Sequence, residues 1–123
     1  MKRSDLSELS IHDLVARFVD IAVQQDRQLD RDDAARFNKL YRQMAKIVQE
    51  LKSRPGDRRH ALIALYDHPN IQVRMKAAVN SLALNYDAAR RVLETIAGSN
   101  HFPHAGHAGM TLDALDRGVF KPE

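Results

Sequence analysis

The chain contains no cysteine. That excludes disulfides, thiolate metal sites and a cysteine nucleophile. Tryptophan is also missing, which removes the commonest anchor of protein interfaces. Proline and glycine are scarce, four and five respectively in 123 residues. No apolar run approaches the roughly 20 residues that a membrane-spanning helix needs. The opening stretch Met1-Lys2-Arg3-Ser4-Asp5 lacks the apolar core of a secretion signal. A soluble, cytoplasmic protein is therefore expected. No P-loop, nucleophile elbow or dinucleotide fingerprint occurs in the sequence, so neither an enzyme nor a bound cofactor is expected.

What is present fits one domain, residues 1–123. The 44% hydrophobic and 28% charged content is ordinary for a globular protein, and a chain of this size buries roughly two thirds of its unfolded surface. No window alternates with the two-residue period of a strand. The apolar residues recur at three and four instead, and the spacing predicts six helices.

Ser10, with Asp13 three residues on, has the form of a capping box and should open the first helix. Leu14, Val15, Phe18, Ile21 and Ala22 form its inward stripe, with Leu6 and Leu9 packing ahead of it. The polar stretch from Gln24 to Asp33 should end it. Asp26, Asp30, Asp32 and Asp33 make that turn acidic, and Asp32 or Asp33 should cap the second helix. There Phe37, Leu40, Tyr41, Met44, Ile47, Val48 and Leu51 face inward, and Arg54-Pro55-Gly56 is the stop. Asp57 should cap a third helix carrying Ala61, Leu62, Leu65 and Tyr66, which ends at Pro69. A fourth should run from Asn70 to about Tyr86, with Val73, Ala77, Ala78 and Leu82 inward. Asp87 should cap a fifth, with Ala89, Val92, Leu93 and Ile96 inward, up to Gly98. A sixth should begin near Pro103, carry Ala108, Leu112 and Leu115, and close at Gly118.

The sequence from Leu62 to Leu82 resembles a HEAT-type repeat, the helical hairpin of α-solenoids. The matching residues are Leu62 and Leu65, Pro69 in the turn, then Val73-Arg74, Ala77-Ala78 and Leu82; Asn70 stands where an aspartate is common. The whole chain is similar to a family of small bacterial HEAT-like proteins known as a domain of unknown function. That likeness rests on Leu62 to Ala78 and on the ending Ala108 to Gly118. It implies an all-α, α-α superhelical fold of three antiparallel hairpins and a bacterial setting, and it supplies no activity. In such an array each hairpin buries its stripe on a neighbour, and one set of helices lines a curved face. Pro69, Asn70, Val73, Arg74, Ala77 and Ala78 are then structural residues. Arg74 should bridge to a neighbouring turn, with Asp67 or Asp87 as acceptors.

Charge offers a candidate site. Residues 34 to 60 hold Arg36, Lys39, Arg42, Lys46, Lys52, Arg54, Arg58 and Arg59 against only Glu50 and Asp57. At 100° per residue, Arg36, Lys39, Arg42 and Lys46 share an arc of about 120° beside the apolar stripe. Arg54, Arg58 and Arg59 could extend that face across the turn. A charged helix face most often serves solubility alone; if this one binds, an acidic protein surface or phosphates are the fitting partners. No aromatic residue interleaves with the charges as single-strand binders require. His101, His104 and His107 are spaced by three, but Pro103 interrupts them and no carboxylate is placed to complete a site, so no metal is expected.

Taken together, these features predict a non-enzymatic helical-repeat module. It would bind another protein through a curved face or through Arg36, Lys39, Arg42, Lys46, Arg58 and Arg59. The alternatives are nucleic-acid binding through the same basic face, or a toxin-immunity role. Salt dependence separates phosphate binding from protein binding.

Overall fold

The computed structural model describes residues 3–29, 31 and 33–123. Met1, Lys2, Asp30 and Asp32 lie outside the described residues, and with them two of the acids assigned to the first interhelical turn. The described residues are all-helical, with no strand among them. The five α-helices are α1 (Ile11–Gln28), α2 (Ala34–Ser53), α3 (Ile71–Val79), α4 (Tyr86–Ala97) and α5 (His104–Asp116). Two 3-10 segments, Arg3–Glu8 and Arg58–Leu65, complete the set. Six of these segments answer to the six expected helices, and Arg3–Glu8 is additional. The chain divides into two compact units, Met1–Ala61 and Leu62–Glu123.

In the first unit α1 packs on α2. The short link between them makes the pair an antiparallel hairpin. Ser10 Oγ accepts from the Asp13 N–H at 3.0 Å, and Asp33 Oδ1 accepts from the Arg36 N–H at 3.0 Å. Each cap satisfies one of the orphan donors of a helix start. The inward stripes are Leu14, Phe18, Ile21 and Ala22 on α1, and Leu40, Met44, Ile47 and Leu51 on α2. Two expectations need correction. The polar Gln24–Gln28 stretch continues α1 rather than ending it, and Gln25 within it is fully buried. Tyr41, assigned to the apolar stripe of α2, is 58% exposed; it sits at the edge of that stripe, where the helix turns toward water. At the far end of α2, Arg54 donates to Glu50 Oε2 at 2.8 Å and to the Leu6 carbonyl at 2.9 Å. The Arg3–Glu8 segment is thereby tied to the hairpin.

The second unit is built on α3, α4 and α5, which pack on one another. Its core is Ile71, Met75, Ala78, Leu82, Ala89, Leu93, Ile96 and Ala108, with Leu112, Leu115 and Phe120 packed against it. Small residues at 78, 89 and 108 let the helix backbones approach closely, because an alanine adds only one methyl between two axes. Asn70 caps α3 with its Oδ1, which accepts from the Gln72 N–H at 2.8 Å and the Val73 N–H at 3.1 Å.

Three boundaries differ from the sequence expectation. Arg58–Leu65 is a 3-10 segment rather than an α-helix. α3 ends at Val79 instead of running to Tyr86. There the Asn80 side chain donates to the Lys76 carbonyl at 2.9 Å and Ser81 Oγ donates to the Ala77 carbonyl at 2.7 Å. Short polar side chains that bond back to the preceding turn compete with helix propagation. Finally, α4 opens from Asn85, so Asp87 lies inside its first turn rather than at the cap. A carboxylate there still favours the positive end of the helix dipole.

Candidate functional site: the basic face of α2

α2 presents Arg36, Lys39, Arg42 and Lys46 to solvent, all four exposed. Arg36 is partly committed. Its Nη2 donates to Gln24 Oε1 at 2.9 Å, and Gln24 Nε2 donates to Asp20 Oδ2 at 2.8 Å, a chain that joins α2 to α1. Among the described residues Lys39, Arg42 and Lys46 have no acidic partner within ion-pair distance. Glu50 falls within the same arc one turn further on, but it is spent on Arg54.

The extension of this face across the turn does not hold. Arg59, predicted to join it, is only 7% exposed. Its Nε and Nη2 donate to the two carboxylate oxygens of Asp57 at 2.9 and 2.6 Å. The fork geometry matches a carboxylate in a two-point pair, and Asp57 Oδ1 also accepts from the Arg59 N–H at 3.2 Å. Arg58 is half-buried on the 3-10 segment. Of the cations assigned to this face, the exposed ones left without an ion-pair partner among the described residues are thus Lys39, Arg42 and Lys46 of α2. The signal that could have flagged Arg59 is the aspartate two residues before it, which follows the turn glycine Gly56 at φ 81° and itself lies at φ 52°.

The Arg59 hydrogen bonds hold the Asp57 carboxyl below its ordinary value of 3.8. A carboxylate depressed on folding contributes stability that is complete above its unfolded value and is lost as pH falls through its folded one. The Asp57 contribution should accordingly persist from neutral pH down to about 4 and disappear below it. Asparagine tolerates a positive φ and cannot ionise. Urea unfolding of the wild type and Asp57→Asn between pH 7 and pH 2 should therefore give a difference in stability that is constant at the upper end and shrinks only below 3.8. A difference that already shrinks between pH 7 and 5 would contradict this assignment.

The residues read as structural occupy the start of α3. Val73, Ala77 and Ala78 are fully buried, and Pro69 is exposed in the turn. Arg74 does not bond to Asp67 or Asp87. Its Nη1 donates to the carbonyls of His68 and Pro69, at 2.8 and 3.2 Å. His68 Nδ1 in turn accepts from the Asn70 N–H at 3.0 Å. Arginine, histidine and asparagine together fasten the turn that launches α3, so the arginine serves its own loop rather than a neighbouring one. The three spaced histidines do not share an environment: His104 is buried, while His101 and His107 are exposed. The His101 and His104 rings meet edge-on with centroids 5.3 Å apart. Among the described residues no group of three or more His, Asp or Glu side chains is arranged to hold a metal ion, and no helix is long and apolar enough to cross a membrane.

Sequence reading passes over two further features. Arg90 of α4 donates to Glu94 at 3.0 Å, to Tyr86 Oη at 3.2 Å and to Asp116 Oδ2 at 3.2 Å. These bonds push its pKa up, that with Asp116 foremost, and fasten α4 to the end of α5. The other is the outer face of α5, whose sequence signal is Gly106, Gly109 and Met110 at one-turn spacing.

The described residues form a small all-helical protein that carries a cationic face on α2. The chain belongs to the family described as Domain of unknown function (DUF2019), which matches residues 12–116. It is also similar to the protein RPA1889 from Rhodopseudomonas palustris CGA009, known from a crystal structure. The two share 48% identity at a TM-score of 0.92, over 96% of this chain and 98% of that one. No curated protein matches the chain.

Proposed function

We propose that this chain is a non-enzymatic interaction module that binds an acidic partner protein through the outer face of α2. The observation that carries this reading is the set Lys39, Arg42 and Lys46: exposed, within one arc, and without an acidic partner among the described residues. By contrast Arg54, Arg59, Arg90 and Arg117 are paired within the chain, to Glu50, Asp57, Asp116 and Asp113. Three adjacent cations left open on a rigid helix are suited to steer and orient an anionic surface. α2 also lacks interleaved stacking aromatics, since Phe37 is half-buried and Tyr41 lies outside the cationic arc; this favours a protein over single-stranded nucleic acid.

The HEAT-like reading belongs to the same proposal. The Asn70 cap, the buried Val73, Ala77 and Ala78, and the fastened His68-Pro69-Asn70 turn support it. The 3-10 form of Arg58–Leu65 departs from the usual first arm of such a hairpin.

The test reverses the three charges together, Lys39→Glu, Arg42→Glu and Lys46→Glu. The side chains are exposed, so the melting temperature should move by no more than a few degrees. A specific partner captured by the wild-type protein from its native cell should be lost, with affinity reduced at least about tenfold. Partners retained in full by the triple variant would sink the proposal. Retardation of duplex DNA or RNA at low salt, weakening steeply as salt rises, would replace a protein partner with phosphate.

A further inference from the structure

The outer face of α5 gathers exposed apolar surface. Six large hydrophobic residues of the described chain are exposed, and three of them, Phe102, Met110 and Val119, belong to this helix or its flanks, at 68%, 71% and 71% exposure. At 100° per residue Gly106, Gly109, Met110, Asp113, Ala114 and Arg117 fall on one side of α5. An open groove of about 530 Å³ runs along it, lined by Gly106, Gly109, Met110, Ala114 and Val119 with Asp113 and Arg117. The Phe102 ring borders Gly106, 3.9 Å from where a Cβ would stand, and nothing lies within 4 Å of that position at Gly109. Gly118, at φ 71°, turns the chain back: the Val119 and Phe120 N–H groups donate to the Ala114 carbonyl at 2.9 and 3.1 Å. Phe120 thereby reaches the core and Val119 is left outside on the groove.

We infer that this face binds a second copy of the same chain, α5 against α5, antiparallel about a two-fold axis near Met110. The argument is self-complementarity. An isologous interface requires that each feature find its counterpart on the same patch. With the axis between positions 109 and 110, each Met110 faces the hollow over the partner's Gly109. The ends pair as well: Asp113 of one copy lies opposite Gly106 of the other, and the Phe102 ring beside that Gly106 comes within reach of the Arg117 one turn beyond Asp113, a cation over a ring face. Neither Asp113 nor Arg117 meets its own copy. A parallel pairing would set both like-charged pairs face to face. The Asp113–Arg117 ion pair, 3.3 Å long and exposed, leaves the patch without net charge, so nothing repels its own copy. An acidic or basic partner protein has no such match here. The glycines permit close approach of the two helices, and methionine adapts to an irregular hollow.

Sedimentation velocity of the full chain over about 5 µM to 500 µM tests the inference. The wild type should shift with concentration toward the mass of two chains. Met110→Glu should remain at the mass of one chain throughout, with its dimerisation constant weakened at least about tenfold. Its circular dichroism should be unchanged, since that side chain is already in water. Gly109→Leu, which fills the hollow, should do the same. Arg117→Ala should weaken association less than either. A wild type that stays at one chain up to 500 µM overturns the inference and leaves the face for a different partner. A dimer that survives both Met110→Glu and Gly109→Leu places its interface elsewhere and overturns it equally.

Discussion

Leu93→Ala is expected to destabilise the protein by about 2–5 kcal/mol, in the upper half of that range. Leu93 has no exposed surface and sits among Ile71, Met75, Ala78, Leu82, Ala89, Ile96 and Ala108. Three of those seven neighbours are alanines. Alanine has no rotamer with which to move into a cavity, and the helix backbones around it are already close, so the site cannot collapse to recover lost contacts. Removing three carbons should leave most of their volume empty. The midpoint of thermal unfolding should fall by roughly 10 °C or more. Leu93→Met, which conserves volume, should cost less than about 1.5 kcal/mol. Urea unfolding followed by circular dichroism measures both. A loss under about 1 kcal/mol for the alanine variant would mean that this core is not close-packed around position 93.

Much of this fold is legible in the sequence where two signals agree. α1 and α2 are long, strongly periodic and capped by residues suited to the task, and most of the stripe predicted for each is buried, with Val15, Phe37 and Val48 half-buried at its margins and Tyr41 exposed. The Asn70 start is legible for the same reason. Legibility fails where a single signal carries the reading. Leu62 and Leu65, three apart, fit a 3-10 turn as well as an α-helix, because three-residue spacing lies close to both periods. The end of α1 is hidden because a polar stretch reads as exposed, whereas Gln25 is polar and buried. The early end of α3 depends on Asn80 and Ser81 bonding backwards, a choice that Tyr66 helps to fix: its hydroxyl lies 2.5 Å from Ser81 Oγ. No local pattern announces a contact fifteen residues away.

The candidate site is legible in part, and for a physical reason. Spacing alone puts Arg36, Lys39, Arg42 and Lys46 on one arc. Which arginines stay available depends on pairing in the folded chain, and there Arg54 and Arg59 are withdrawn by Glu50 and Asp57. A count of charges from 34 to 60 therefore overstates the reach of the basic surface, and the face that remains is the length of one helix. The outer side of α5 escapes notice in the sequence because glycine, alanine and methionine give a weak amphipathic signal. The turn at Gly118, which lays Val119 beside Met110, adds to that side apolar surface that the helix pattern does not announce.

Phe18→Ala should be the most damaging single substitution in the first unit, at about 3–5 kcal/mol. The ring lies on the inward stripe of α1 with no exposed surface, and it is the only fully buried aromatic side chain among the described residues. An aromatic core residue buries about 150–250 Å², more than any aliphatic neighbour. In this chain the remaining stripe positions of α1 are Leu14, Ile21 and Ala22, none of which can reach into a ring-sized void. Hydrogen exchange gives the sharpest readout. The slowest amides of α1 and α2 exchange through the opening that exposes this stripe, so their rates should rise by about two to three and a half orders of magnitude in the variant. The same experiment tests the single-domain reading of residues 1–123. If the chain opens as one cooperative unit, the slowest amides of α4 must accelerate by the same factor. If α4 keeps its wild-type rates while α1 and α2 lose theirs, Met1–Ala61 and Leu62–Glu123 unfold independently, and the chain carries two folding units rather than one.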